Sequence, residues 1–64
     1  MSVGEKIKAF IDERGIKQSF LAERTGVSQS IMSKMLSGDY TITAINYHEI
    51  CKALQVPMEQ FFED

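Results

Sequence analysis

Glycines at positions 15, 26 and 38 follow three short segments in which apolar residues recur at helical spacing. Glycine ends helices readily because it adopts the left-handed backbone conformation without a steric penalty. Each of these glycines is therefore a predicted helix stop. The alternation of apolar and polar residues that is typical of a strand persists nowhere beyond a few positions. The sequence thus predicts several short helices and an all-α fold.

Apolar stripes and capping residues together define five predicted helices. The first carries Val3, Ile7, Phe10 and Ile11 on one side and ends before Gly15. No repeat, linker or low-complexity tract divides the chain, so we expect one domain over residues 1–64. The other elements are a second helix over residues 18–25, a third that Ser28 caps and that runs to about Leu36, a loop over residues 39–42, a fourth helix that Thr43 caps, and a last short helix that Pro57 begins.

The length and the residue counts exclude several classes of function. A chain of 64 residues buries only about 60% of its unfolded surface and has little wall for a deep catalytic pocket, so an enzyme is not expected. One cysteine forbids an internal disulfide, and with one histidine it leaves too few ligands for a structural zinc site. The N-terminus lacks a secretory pattern, and no apolar run approaches the roughly 20 residues of a membrane span. We therefore expect a soluble, cytoplasmic protein without cofactor, metal or membrane partner.

His48 and Cys51 lie three positions apart on the fourth predicted helix, a spacing that two metal ligands or a nucleophile and its base could use. Cys51 falls on the apolar stripe, where a thiol behaves as a small hydrophobic group, and His48 falls on the polar side. This arrangement favours a core role for Cys51 over a chemical one.

The outer face of the third predicted helix is short, polar and almost uncharged. At about 100° per residue, it holds Gln29, Ser30, Ser33, Lys34 and Ser37 opposite an apolar arc. Serine is a mediocre helix former, and strong helix formers such as Glu, Lys and Gln usually dominate a solvated face. Short side chains with donors and acceptors suit a helix that must approach base edges in a DNA major groove. An ordinary solvent-exposed face is the alternative interpretation.

Residues 18–38 read QSFLAERTGVSQSIMSKMLSG and resemble the helix-turn-helix of the Cro/phage-repressor family, the xenobiotic-response-element type of bacterial and phage regulators. The matching features are a small Ala22 where two helices cross, Gly26 at the turn, and inward apolar residues such as Leu21 and Val27. Residues 50–56 and 61–62 resemble the trailing helices, so the resemblance covers nearly the whole chain. It implies a compact, lambda repressor-like domain of five helices, with the second and third helices forming the helix-turn-helix.

The resemblance also implies a double-stranded DNA operator as partner and assigns roles by position. For Ser28, helix capping is the blander alternative, and for Tyr40 the alternative is a packing residue with a solvated hydroxyl. Lys34 could reach either a base or the backbone. The predicted base contacts are Gln29, Ser30, Ser33 and Lys34, and the predicted phosphate contacts are Gln18, Ser28, Gly38 and Tyr40.

Charge is divided unevenly along the chain. Residues 1–38 carry six Lys or Arg against four Asp or Glu, a balance of +2, and residues 39–64 carry one against five, a balance of −4. The net charge of −2, which argues against a general nucleic-acid binder, is thus concentrated behind the motif. The loop after the third helix contains Asp39 and no Lys or Arg, which predicts weak binding per protomer and a shallow salt dependence.

The aromatic pair Phe61 and Phe62 cannot both point inward from one short helix, and Phe20 falls off the apolar stripe of its own helix. Either these aromatics wrap the edge of a small core, or one of them belongs to a partner surface. We expect Phe61 and Phe62 to form a dimer interface, so that two protomers bind a near-palindromic operator.

The leading interpretation is a sequence-specific transcriptional regulator that acts as a repressor. The alternative is a protein-interaction module of the same fold, of the antitoxin or anti-repressor type, with little DNA binding.

Overall fold

The computed structural model describes residues 1–62 and contains four α-helices followed by one turn of 3₁₀ helix. The all-α class is confirmed, but the expected fifth helix is only this turn, and it begins after Pro57, which lies in front of it as an extended N-cap (φ −70°, ψ 158°). Within the described residues, no helix is both long and apolar enough to cross a membrane. The elements are α1 (Val3–Arg14), α2 (Gln18–Thr25), α3 (Gln29–Ser37), α4 (Ala44–Leu54) and the 3₁₀ turn (Met58–Phe61).

The helices begin and end largely where the capping residues predicted. The Ser28 and Thr43 hydroxyls accept hydrogen bonds from the Ile31 and Asn46 amides, each at 3.1 Å, and so cap α3 and α4. Glycines in the left-handed conformation end α1, α2 and α3, with φ of 70°, 76° and 89°. The end of α4 carried no such signal, because Gln55 adopts the left-handed conformation there (φ 59°).

One apolar core joins all five elements. Phe61 reaches this core from the 3₁₀ turn, and its ring meets those of Phe10 and Tyr47 edge to face, with centroids 5.4 and 6.4 Å apart. The Tyr47 hydroxyl donates a hydrogen bond to the Met58 carbonyl, and burial raises the pKa of Tyr47 to about 12, so the group remains a donor. The buried apolar residues are Ile7, Ile11, Leu21, Ala22, Met32, Met35, Leu36, Tyr47, Ile50, Cys51 and Phe61.

α1 and α3 approach each other closely at Gly4. A Cβ atom added to Gly4 would lie 1.9 Å from the carbonyl oxygen of Met35 and 3.2 Å from the Cα of Leu36. Because these are backbone atoms, no side-chain rotation could relieve the overlap. Gly4 thus sets the distance between α1 and the helix that carries the candidate site.

Candidate nucleic-acid interface

α2 and α3 form a helix-turn-helix whose turn is the three residues Gly26 to Ser28. The Gly26 amide donates to the Ala22 carbonyl at 2.9 Å, which completes the last turn of α2 before the chain reverses. A positive φ of 76° makes glycine the suitable residue here, because a Cβ would strain that conformation. Ala22 is buried and Val27 half-buried, so both tie the motif to the core as their positions predicted.

α3 separates its two faces sharply. Its inward residues Met32, Met35 and Leu36 are 0%, 2% and 1% exposed. Short polar side chains dominate the opposite face, which is exposed in the described part of the chain. All four predicted base-contact residues are exposed there: Gln29, Ser30, Ser33 and Lys34.

Gln18 and Ser33 lie together, although 14 positions separate them in the sequence. Both line a cleft of about 320 Å³ where the start of α2 meets the outer side of α3. Gln18 is the first residue of α2, where the free amides of a helix N-terminus favour an anion. The structure therefore brings one predicted phosphate contact and one predicted base contact to the same edge of the motif.

Ser28 and Gln29 border a different depression, an open groove of about 910 Å³ that Phe20 and Leu54 also line. Phe20 is half-buried, and the Arg24 guanidinium lies over its ring, 4.9 Å from the centroid. Phe20 thus packs at the edge of the core. The Ser28 hydroxyl is already occupied as the cap of α3, but the side chain is exposed, so a second contact to phosphate is sterically open.

Gly38 caps the C-terminus of α3, where its amide donates to the Lys34 and Met35 carbonyls, and together with Tyr40 it borders an apolar cavity of about 480 Å³. Tyr40 is 47% exposed and shares this cavity with Met58 and Phe62. Its ring therefore has a packing environment, whereas the contact of its hydroxyl with phosphate stays a prediction.

The two adjacent phenylalanines have different environments. Phe61 is 4% exposed and packs into the core, so its side chain is not available to a partner, contrary to the prediction for both. Phe62 is 62% exposed and stacks on Tyr47, with centroids 5.1 Å apart and an interplanar angle of 13°. Only Phe62 of the pair therefore remains a candidate for a dimer interface.

Two features near α3 carried no clear sequence signal. The Ser37 hydroxyl lies 3.1 Å from the Asp39 carboxylate and 3.0 Å from the Lys34 carbonyl, so a negative charge is fixed beside the C-terminus of α3. Glu5 and Lys8 of α1 line the same cleft as Gln18 and Ser33. Both features depend on how the chain folds back, which spacing alone does not reveal.

His48 and Cys51 are separated by their environments. Cys51 is 2% exposed and belongs to the core, and burial raises the pKa of its thiol above the ordinary value. His48 is exposed on the other side of α4. A buried thiol held in its neutral form is a poor nucleophile and a poor metal ligand.

Taken with the uncovered polar face of α3, this fold defines a helix-turn-helix DNA-binding domain. A family model described as the Cro/C1-type HTH DNA-binding domain matches residues 6–64, and the chain belongs to that family. The chain is also similar to a protein of Rhodospirillum rubrum named "Uncharacterized transcriptional regulator in ATPase CF(0) region", with 36% identity over 62 residues. That match covers 97% of this chain and 57% of the relative, so the chain spans little more than half the relative's length.

Two substitutions at Ser28 separate its capping role from a phosphate contact. We expect Ser28→Ala to lower the free energy of unfolding by about 1 kcal/mol, because the Ile31 amide loses its acceptor. Ser28→Asp keeps an acceptor at the cap, so stability should be retained, but its charge would repel a phosphate. Urea unfolding and DNA titration of both variants check this. Unchanged DNA affinity in Ser28→Asp would leave Ser28 with the capping role alone.

Proposed function

We propose that this chain is the DNA-reading part of a transcriptional repressor and acts by binding rather than by catalysis. The observation that carries the proposal is the outer face of α3, where four exposed polar residues stand opposite the buried Met32, Met35 and Leu36. Membership of the Cro/C1-type family and the name of the Rhodospirillum rubrum relative support the coarser role of a DNA-binding transcriptional regulator.

α3 would enter the major groove, and its side chains would divide the recognition between them. Gln29 offers an acceptor and a donor together, which matches the edge of adenine. Ser30 and Ser33 can serve either as donor or as acceptor. Lys34 can donate to guanine or to phosphate, and Gln18 would fix the approach by contacting the backbone beside the groove.

A second copy of the chain would complete the operator complex. Within residues 1–62, five large apolar side chains are exposed, and four of them come from the α3–α4 loop onward: Tyr40, Ile45, Met58 and Phe62. Three of these four line one cavity, which makes this surface the best candidate for a homodimer contact. Two protomers related by a two-fold axis would place their α3 helices about one DNA turn apart on a near-palindromic site.

Alanine substitutions in α3 test the assignment of the reading face. Sites selected in vitro by the wild type should show a two-fold symmetric consensus. On such a site we expect Gln29→Ala and Ser33→Ala each to cost about 1–3 kcal/mol of binding free energy and to relax the preference at one base pair. Lys52→Ala removes an exposed side chain of α4 and should leave affinity and consensus unchanged.

Two results would contradict the proposal. If both α3 variants select the same sites as the wild type with the same affinity, α3 does not read bases. If the wild type shows no salt-sensitive binding to any duplex but forms a stable complex with a protein partner, the chain is an interaction module of the same fold.

A further inference from the structure

We propose that Lys8 of α1 is a further phosphate-binding residue and that Asp12 competes with phosphate for its ammonium in the free protein. The proposal rests on the DNA-binding function above and extends the interface from the helix-turn-helix onto α1. No sequence signal pointed to α1, because Lys8 is one of several charged residues on an ordinary amphipathic helix.

The cleft between α1, the start of α2 and the outer side of α3 places Lys8 beside the reading face. Lys8 lines this cleft together with Gln18, Ser33 and Ser37. A helix that lies in the major groove has the phosphates of the groove wall along both sides of it. A cation in this cleft is therefore placed for a phosphate of the strand that Gln18 would also contact.

The Lys8 ammonium lies 2.5 Å from a carboxylate oxygen of Asp12, one turn further along α1. The two side chains are 41% and 56% exposed, so water screens the pair and it adds little to stability. A phosphate can thus displace Asp12 without breaking a buried interaction. Because Asp12 stays exposed after the exchange, its carboxylate is solvated by water when Lys8 turns to DNA.

Glu5 is the other charged residue of the cleft, and the structure holds its carboxylate at the end of α1. It accepts a hydrogen bond from the Ser2 amide at 2.9 Å, within the capping box of α1. The hydrogen bonds with Ser2 lower the pKa of Glu5. Its carboxylate is therefore ionised and stays hydrogen-bonded at the N-terminus of α1. Lys8 is the positively charged residue among those that line the cleft, so it is the one that can bind a phosphate there.

Removing the charge of Lys8 should weaken binding to every DNA sequence. We expect Lys8→Gln, which keeps the length of the side chain, to bind both the selected site and random duplex about 3- to 10-fold more weakly at low salt. The slope of log affinity against log salt should fall by about one unit, with the base preference unchanged. Lys52→Gln makes the same change on α4 and should alter neither quantity.

Neutralising Asp12, the competitor of phosphate, should change DNA affinity in the opposite direction. Asp12→Asn should raise DNA affinity several-fold in the wild-type background, and the gain should largely disappear when Lys8→Gln is also present, since the competition requires both groups. Circular dichroism should show the helical content of the wild type in all variants.

The outcomes distinguish this inference from the function on which it rests. If the wild type binds its site and Gln29→Ala weakens that binding, but Lys8→Gln matches Lys52→Gln in affinity and salt slope, Lys8 is not a contact and the inference is wrong. An Asp12→Asn gain that persists without Lys8 would assign it to general charge instead. If the wild type does not bind duplex DNA, both proposals fall together.

Discussion

Gly4→Ala should destabilise this protein by about 3 kcal/mol or prevent it from folding. A Cβ at this position would lie 1.9 Å from the Met35 carbonyl oxygen, a separation that requires α1 and α3 to move apart. The core between these helices contains Ile7, Met32 and Met35, which are all nearly inaccessible to solvent. Any shift that makes room for a methyl group therefore opens gaps in a close-packed interior.

Helix propensity alone predicts that Gly4→Ala should stabilise the protein. Alanine in a helix interior is favoured over glycine by about 1 kcal/mol, and Gly4 lies in the first turn of α1. The steric term decides the result because the neighbouring atoms belong to the backbone of α3 and cannot rotate away. For a chain of 64 residues, total stabilities of about 3–10 kcal/mol are typical, so the loss is a large fraction of the whole.

Gly15→Ala is the matched control for this prediction. An added Cβ at Gly15 meets no atom within 4 Å, but the residue has a φ of 70°. Only backbone strain of about 1–2 kcal/mol is then expected. Urea and thermal unfolding of the two variants should show a clearly larger loss for Gly4→Ala. Equal or greater stability of Gly4→Ala relative to the wild type would contradict the close approach of α1 and α3.

The helices could be predicted from the sequence because their signals are local. Ser28, Thr43 and the three glycines that follow helical segments fix the ends of α1 to α3 and the start of α4 within short stretches of chain. Gln55 and Gly4 could not be interpreted in the same way. Gln55 adopts a conformation that its residue type disfavours, and the need for glycine at position 4 arises only when α3 packs against α1.

The candidate site shows the same division between features with a local sequence signal and features that depend on tertiary packing. The polar face of α3 is a periodic pattern within nine residues, so its exposure could be expected from the sequence. The grouping of Lys8 with Gln18 and Ser33 depends on the crossing of three helices, and the Ser37–Asp39 contact depends on the direction in which the chain leaves α3. For Phe61 and Phe62, the pattern showed that one ring must stay outside but did not determine which one.

Phe61→Ala and Phe62→Ala should therefore differ strongly in how much stability they lose. Removing the Phe61 ring leaves a cavity against Phe10 and Tyr47, and we expect a loss of about 3–5 kcal/mol, enough to unfold much of the population at room temperature. Phe62→Ala should cost only about 1 kcal/mol, because the ring is mainly solvent-exposed and loses little more than its stacking on Tyr47. Chemical denaturation of each variant at low protein concentration measures both values. A Phe61→Ala variant as stable as the wild type would contradict the burial of that ring.

Protein concentration connects this pair to the proposed dimer. A partner that binds only the folded state raises the unfolding midpoint by mass action, so a dimer that uses the surface around Phe62 should give the wild type a midpoint that rises with concentration. Phe62→Ala should lose most of that rise and should sediment as a monomer where the wild type is a dimer. It should also bind the full operator more weakly, while its affinity for a single half-site stays unchanged. If Phe62→Ala self-associates like the wild type, the dimer contact lies elsewhere, and the apolar surface formed by Tyr40, Met58 and Phe62 needs a different occupant.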